Sequence, residues 1–121
     1  MMAWRILPKG GNKYHNRIVM YKGMRFDSQR ELDRYIELEL MQRAGMISDL
    51  RRQVEYELIP KQKVTVGSKT VTERAVKYMA DFVYVENGET VVEDVKGFKT
   101  DVYKIKRKLL TWRYGVVIKE T

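Results

Sequence analysis

Residues 78–96 read YMADFVYVENGETVVEDVK. Two runs rich in β-branched and aromatic residues flank Asn87-Gly88, the dipeptide that most strongly indicates a two-residue type I′ turn. The stretch is therefore predicted to be a β-hairpin. A two-residue turn places Glu86 directly opposite Glu89, and this pair sets the register of every other pair along the two strands.

That register places Asp81 directly opposite Asp94. Residues paired in this way have Cβ atoms roughly 5 Å apart on one face of the ladder. Lys96 is expected on the same face as Asp94 and Glu93 on the other, because side chains alternate along a strand. Two opposed carboxylates destabilise a mostly apolar ladder, so a compensating positive charge is expected. A divalent cation and the ammonium group of Lys96 are the candidates.

These residues resemble a known pattern. Asp81, followed after a short hairpin by Asp94-x-Lys96 and preceded by a helix that carries Glu31, is similar to the motif of the PD-(D/E)XK nuclease superfamily. Ala80 stands where that pattern often has proline. The resemblance covers most of the chain. It is closest to small phage-encoded members and to enzymes that resolve Holliday junctions.

The resemblance implies an activity and a set of site residues. The activity is that of a metal-dependent endonuclease that hydrolyses DNA phosphodiester bonds, including those of branched DNA such as four-way junctions. Asp81, Asp94, the backbone carbonyl of Val95 and Glu31 would hold Mg²⁺ or Mn²⁺, cations that prefer oxygen ligands. Lys96 would complete the catalytic set, with Glu31, Asp81 and Asp94, by positioning the attacking water or stabilising charge on the phosphate. A homodimer is expected, because one small domain with one site must pair up to cut two strands symmetrically.

Other interpretations stay open at this point. The acids and Lys96 can form a plain surface salt bridge, and the same fold can bind nucleic acid without cleaving it. An RNA-binding role is disfavoured, because most aromatic residues fall within predicted core stripes rather than on an exposed stacking surface.

Composition excludes several classes of protein. The chain has 121 residues, enough for one domain with a sizeable core. No apolar run approaches the roughly 20 residues of a membrane span, so no membrane attachment is expected. Cysteine is absent, which excludes disulfides and is typical of a cytoplasmic protein, in the host cytoplasm if a phage encodes it. His15 is the only histidine, which argues against a zinc-hydrolase cluster or a histidine-based triad.

The net charge of +8 is concentrated at the two ends of the chain. Residues 1–25 carry six Lys or Arg and no acid, and residues 98–121 carry seven Lys or Arg against two acids. Basic ends around a carboxylate-rich middle predict a phosphate-binding surface beside the site, although small proteins also carry such charge for solubility alone. The predicted nucleic-acid-binding residues are Lys13, His15, Arg17, Lys99, Lys104, Lys106 and Lys108.

Turn and cap signals divide the rest of the chain. Residues 1–16 contain one Pro and two Gly among basic residues and are predicted to be a flexible basic arm, which either tracks a nucleic-acid backbone or is simply a frayed terminus. Residues 17–121 are predicted to be a single nuclease-like domain. Its further predicted elements are a hairpin over 17–26 that turns at Lys22-Gly23, a helix over 28–44, a strand over 53–59, a projecting hairpin over 61–76, a helix over 100–114 and a strand over 116–118. The projecting hairpin is either a wing that faces DNA or a plain insertion.

The predicted architecture is an α/β fold in which a mixed β-sheet is flanked by two helices. The N-terminal basic arm and the projecting β-hairpin are additions to it, and the resemblance implies that its core is restriction-endonuclease-like. The buried stripe of the first helix is predicted to be Leu32, Tyr35, Ile36, Leu38 and Leu40. The buried stripe of the second helix is predicted to be Val102, Ile105, Leu109 and Trp112.

Glu31 has a structural interpretation as well as a functional one. Ser28-x-x-Glu31 is a capping box, in which the carboxylate would accept the backbone amide of Ser28. Glu31 also stands at the end of the predicted buried stripe of its helix, so it can point into a site rather than into water. The sequence leaves both roles open.

Overall fold

The computed structural model describes residues 17–95 and 99–121. Within these residues the chain forms β1 (Val19–Tyr21), β2 (Met24–Phe26), α1 (Gln29–Arg43), β3 (Ser48–Ile59), β4 (Gln62–Val66), β5 (Lys69–Glu73), β6 (Val76–Glu86), β7 (Glu89–Asp94), α2 (Asp101–Tyr114) and β8 (Lys119–Glu120). The predicted arm over residues 1–16 lies outside the described residues. In the part of the chain that is described, neither helix is long and apolar enough to cross a membrane.

The central hairpin forms in the predicted register. β6 and β7 pair antiparallel from Glu86↔Glu89 to Phe82↔Glu93. The turn residue Asn87 has φ +53° and Gly88 has φ +78°. Positive φ at both central positions is what a type I′ turn requires, and glycine adopts it without steric cost. The last pair in this register, Phe82↔Glu93, is next to the predicted Asp81–Asp94 pair.

A four-stranded mixed sheet is built on this hairpin. Its strand order is β3-β6-β7-β8. β3 pairs antiparallel with β6, and β8 pairs parallel with β7. The parallel pair is possible because α2 carries the chain from the end of β7 back to the start of β8. The α/β class, with a mixed sheet and two helices in the described residues, is as predicted.

The two helices cover opposite faces of this sheet. Phe82 and Tyr84 of β6 pack with Leu38 of α1, whereas Val83 packs with Leu110 of α2. Neighbouring residues on a strand point to opposite faces, so one helix lies on each. Each of these five side chains is fully buried. Burial of one such side chain contributes about 1.5–3 kcal/mol relative to leaving it exposed, which makes these two layers the core.

α1 begins where its cap signal predicts. The Ser28 hydroxyl accepts the backbone N–H of Glu31 at 3.1 Å. Leu32 and Leu38 are buried, but Leu40 is 56% exposed, so its place in the predicted stripe is wrong. Leu40 lies two residues after Leu38 and is therefore roughly 200° away from it around the helix.

α2 spans the predicted residues but turns a different face to the sheet. Val102, Ile105 and Trp112 are 61%, 58% and 80% exposed, so the predicted core stripe is wrong at these three positions. The buried residues of α2 are Tyr103 and Leu110. Because α2 carries apolar residues at helical spacing on two faces, periodicity alone does not select between them. The Tyr103 face can be buried because its hydroxyl donates to a carboxylate oxygen of β8 at 2.6 Å.

Two strand boundaries also differ from the sequence prediction. β3 starts at Ser48 rather than at Gln53. The last strand is Lys119–Glu120 and not residues 116–118. The apolar run over 116–118 is a connection, because the chain must pass from the end of α2 to the sheet edge beside β7. Val117 within it is 79% exposed.

The other four strands form two separate ribbons. β1 pairs with β2 across the predicted turn at Lys22-Gly23. β4 pairs with β5 across Gly67-Ser68, where a projecting hairpin is predicted. Neither ribbon belongs to the four-stranded sheet.

Candidate active site

An open pocket lies where the C-terminal end of β7 meets both helices. Its volume is about 410 Å³. Glu31 of α1, Asp81 of β6 and Asp94 of β7 line it, together with Val95 and Lys106. The predicted ligands, which are distant in the sequence, therefore share one cavity.

Glu31 caps α1 and faces this pocket at the same time. It is only 4% exposed. One carboxylate oxygen, Oε1, accepts the backbone N–H of Asp27 at 3.0 Å. The predicted capping box has the backbone N–H of Ser28, the next residue, as the donor. The other oxygen, Oε2, accepts from Nε2 of Gln53 at 3.3 Å. The structural and functional interpretations of Glu31 are thus compatible with each other.

Asp81 lies at an irregularity between β3 and β6. The residue pairs on either side of Gln53 and Asp81 keep the same register, but Gln53 and Asp81 themselves are not paired. Gln53 has φ +52°, an unusual conformation for a residue other than glycine. Ala80 packs on the α2 side of the sheet and Phe82 on the α1 side, although residues two apart on a regular strand share a face. The change of face at Asp81 places its carboxylate beside the end of β7.

Asp81 titrates well above its ordinary range. Burial raises the pKa of Asp81 to about 6, and a hydrogen bond with the neighbouring carboxyl of Glu31 adds to the rise. The backbone N–H of Val95 donates to Asp81 Oδ2 at 2.8 Å and acts in the opposite direction. Neighbouring carboxyl groups resist ionising together, so the pocket concentrates negative charge that a cation would relieve.

Asp94 is held through both its side chain and its backbone. It is 3% exposed. The Tyr78 hydroxyl donates to Asp94 Oδ2 at 2.5 Å, and the backbone N–H of Thr121 donates to the Asp94 carbonyl at 3.0 Å. Burial and the hydrogen bond to Asp94 raise the pKa of Tyr78, so its hydroxyl stays protonated as a donor. These contacts fix the Asp94 carboxylate at the pocket.

Glu93, the residue before Asp94, serves the opposite face of the sheet. It is fully buried and accepts hydrogen bonds from the guanidinium of Arg34 on α1 at 2.6 and 2.9 Å. The hydroxyls of Tyr84 and Thr121 donate to it at 2.7 and 3.0 Å. Its oxygens are occupied by protein donors, which agrees with its predicted place away from the metal ligands.

The pocket offers the right kind of donor atoms for Mg²⁺ or Mn²⁺. Carboxylate oxygens and the backbone carbonyl of Val95 are the hard ligands that these ions prefer. As the side chains stand, however, no group of three or more His, Cys, Asp or Glu in residues 17–95 and 99–121 is arranged to hold a metal ion. Asp81 and Asp94 each direct an oxygen at a protein donor, Val95 N–H or Tyr78. The residues therefore fit such an ion in the kind of donor atom that they offer.

Lys96, Lys13 and His15 lie outside the described residues. Arg17 is described and is exposed. Of the predicted catalytic set, the pocket therefore gathers the three carboxylates.

The four basic residues predicted to bind nucleic acid in the C-terminal part of the chain lie in different surroundings. Lys106 lines the pocket, whereas Lys108 lines a different groove on the outer side of α2. Lys104 is exposed. Lys99 forms an ion pair with Glu120, with 3.0 Å between its Nζ and the nearer carboxylate oxygen.

Two residues that hold the site were missed by sequence reasoning. Tyr78 positions Asp94, and Gln53 contacts Glu31. A signal for Tyr78 existed, because a tyrosine in a predicted buried strand usually needs a partner for its hydroxyl, and the paired strand ends in an acid. No signal existed for Gln53, because its role depends on a positive φ that the sequence does not reveal.

The chain belongs to the family described as "Protein of unknown function (DUF1064)", whose family model matches residues 11–120. No curated protein and no solved structure gives a significant match to the chain.

Proposed function

We propose that this chain is a metal-dependent endonuclease that hydrolyses DNA phosphodiester bonds, with a restriction-endonuclease-like core of the PD-(D/E)XK type. The observation that carries the proposal is the presence of Glu31, Asp81 and Asp94 in one open pocket. They come from three different elements, and one of them has a pKa raised by burial and by a neighbouring acid. Buried acids with perturbed pKa values in an open pocket are typical of functional sites.

The carboxylates are proposed to hold Mg²⁺ or Mn²⁺. Asp81, Asp94 and the Val95 carbonyl would bind the ion, and Glu31 would join them directly or through water. When bound, the ion supplies a positive charge that polarises a phosphate oxygen and lowers the pKa of a water molecule. Tyr78 keeps Asp94 oriented toward the pocket by its hydrogen bond to Oδ2.

Positive groups at the same pocket suit a phosphate. The N-terminal end of α2 borders the pocket through Thr100, whose hydroxyl accepts the backbone N–H of Tyr103 at 3.0 Å. A helix N-terminus favours an anion, and Lys106 adds a formal positive charge. Lys96 follows Val95 in the sequence and is proposed to stabilise the charge that builds on the phosphate during cleavage.

The proposed substrate is DNA, including branched DNA such as a four-way junction. The basic ends of the chain support a polyanionic substrate. The branched form rests on the resemblance to junction-resolving enzymes. A homodimer, with one pocket in each copy, would cut both strands symmetrically. Because the sequence has no cysteine, the proposed location is the cytoplasm.

A cleavage panel tests this function. Labelled four-way junctions, flaps, linear duplexes and single strands are incubated with the protein in Mg²⁺, in Mn²⁺ or in a chelator. The proposal predicts cleavage of at least one DNA form that requires the metal. The same panel run with Asp94→Asn, purified in parallel, controls for contaminating nucleases. Absence of metal-dependent products from every substrate, or equal products from the variant, would contradict the proposal.

A binding module without catalysis is the second candidate. The observation that favours it is that the described side chains form no ready-made metal site, since Asp81 and Asp94 are hydrogen-bonded to protein donors. This alternative predicts tight binding of the panel substrates and no metal-dependent product. Gel-shift measurements on the same substrates, made beside the cleavage assay, separate the two functions.

A further inference from the structure

The β4–β5 ribbon, residues 62–73, is separated from the rest of the fold. Its strands pair with each other and with no further strand of the described chain. Within it only Val64 is half-buried, and all the other side chains are exposed. An isolated two-stranded hairpin is at best marginally stable in water. A ribbon that contributes so little to the core is suited to contact something outside it.

The two faces of the ribbon differ in chemistry. Lys63 pairs with Thr72 and Thr65 pairs with Thr70, so these four side chains share one face. That face offers an ammonium group and three hydroxyls, which donate hydrogen bonds to phosphates and base edges. The other face carries three pairs, which are Gln62↔Glu73, Val64↔Val71 and Val66↔Lys69.

The ribbon and the residues that flank it carry a net positive charge. Residues 61–74 contain Lys61, Lys63, Lys69 and Arg74 against one acid, Glu73. None of these four cations takes part in an ion pair between described residues. Four cations on and beside a projecting element, unpaired with the acids of the described residues, complement a polyanion.

The ribbon also has a suitable shape and position for duplex DNA. The major groove of B-DNA is about 12 Å wide and admits a two-stranded β-ribbon. The base of the ribbon joins β6 at Val76, five residues before Asp81 of the pocket. At about 3.3 Å per residue this separation is roughly 17 Å, or about half of one helical turn of DNA. A duplex engaged at the pocket can therefore reach the ribbon.

We propose that the β4–β5 ribbon inserts into the major groove of duplex DNA next to the bond that the pocket cuts. This inference rests on the proposed nuclease function and adds the form of nucleic acid that the protein recognises. Lys61, Lys63 and Lys69 contact the phosphates along the groove, and Thr65 and Thr70 face the base edges. Duplex RNA is excluded from this contact, because the deep and narrow major groove of A-form RNA does not admit such an element.

The first test measures duplex affinity in an Asp94→Asn background, which keeps the substrate intact. The ribbon variant carries Lys61→Gln, Lys63→Gln and Lys69→Gln. Its control carries Lys22→Gln, Arg43→Gln and Lys119→Gln, three exposed positions elsewhere with the same loss of charge. Melting temperatures of both variants confirm that they are folded.

The ribbon variant is expected to bind a linear DNA duplex at least about tenfold more weakly than the control, with the slope of log affinity against log salt reduced by up to about 2.7 for three lost phosphate contacts. Duplex RNA affinity is expected to be equal in the two variants. Equal DNA affinities of ribbon and control variants overturn the ribbon inference but leave cleavage by the unaltered protein standing. Failure of the parent to bind any duplex overturns the inference, whereas the proposed function falls only if no substrate of the cleavage panel is cut.

A second test locates the ribbon on the DNA. The chain has no cysteine, so Ser68→Cys at the ribbon tip and Thr90→Cys beside the β6–β7 turn each introduce one attachment site for a photo-crosslinker. The proposal predicts crosslinks from position 68 to bases of duplex DNA at a yield several-fold above that from position 90. Equal yields from the two positions contradict insertion of the ribbon.

Discussion

Arg34 of α1 and Glu93 of β7 form a largely buried, bidentate ion pair. Arg34 Nε donates to Glu93 Oε2 at 2.6 Å and Nη2 donates to Oε1 at 2.9 Å. Burial alone would raise the pKa of Glu93, but the hydrogen bonds from Arg34 and Tyr84 outweigh it, and the pKa is lowered. Glu31 lies one turn before Arg34, and Asp94 follows Glu93. The ion pair therefore fixes the positions of two pocket carboxylates relative to each other.

Replacing Arg34 tests this connection. Arg34→Met leaves the Glu93 carboxylate buried without its cation, which is expected to lower the free energy of unfolding by about 3–5 kcal/mol. The control is Arg43→Met, since Arg43 is 64% exposed and its contact with Glu39 is 4.0 Å long. That change is expected to cost less than about 1 kcal/mol. Urea unfolding of both variants decides the matter, and equal losses would mean that the buried pair does not hold α1 on β7.

The two roles of Glu31 can be separated by substitution. Glu31→Gln keeps an oxygen that accepts the Asp27 amide but removes the negative charge from the pocket. Its melting temperature is expected to stay within a few degrees of the parent's, while metal-dependent cleavage falls steeply. Ser28→Ala is the converse change, because it removes only the cap and is expected to cost about 1 kcal/mol of stability with cleavage retained. Full activity of Glu31→Gln would mean that Glu31 serves only as a helix cap.

The raised pKa of Asp81 makes the stability of the fold depend on pH. Its pKa in the folded protein is about 6, against an ordinary value of 3.8. Because the folded state binds this proton more tightly, the contribution of Asp81 to stability decreases as the pH rises from about 4 through 6. Asp81→Asn is therefore expected to be more stable than the parent by up to about 3 kcal/mol at pH 7, and nearly equal to it at pH 4. Denaturant unfolding without divalent ions measures both. A difference that is constant over this range would contradict the raised pKa.

The orientation of α2 can be checked with a matched pair of truncations. Leu110 is fully buried, whereas Trp112 is 80% exposed. Leu110→Ala is expected to cost about 2–5 kcal/mol because it leaves a cavity in the core. Trp112→Ala is expected to change stability by less than about 0.5 kcal/mol, although tryptophan is the larger side chain. A larger loss of stability for Trp112→Ala than for Leu110→Ala would contradict the observed orientation of α2 and support the buried stripe predicted from the sequence.

Features encoded by a few adjacent residues were predictable from the sequence. Asn87-Gly88 determines the hairpin register, and Ser28 determines the start of α1, because turn and cap geometry depend on local backbone conformation. The same register led to Asp81 and Asp94 as a pair of acids, and both line the pocket.

Features that depend on distant contacts were not predictable in this way. The face that α2 presents was wrongly predicted, because the sequence does not show that the Tyr103 hydroxyl finds a carboxylate on β8. The last strand was misplaced because the apolar run at 116–118 resembles a strand more than Lys119–Glu120 does. The positive φ of Gln53, beside Asp81, has no local sequence signal.

Single-turnover cleavage of the best panel substrate by the parent protein and by Asp94→Asn shows whether the pocket carboxylates carry the metal-dependent reaction. Asparagine keeps the shape of the side chain and an oxygen that accepts the Tyr78 hydrogen bond, so folding is expected to be unchanged. We expect metal-dependent cleavage by the parent and a rate at least about 100-fold lower for Asp94→Asn at equal DNA occupancy. Equal cleavage rates for the two proteins, or cleavage by the parent that persists in chelator, would contradict this expectation.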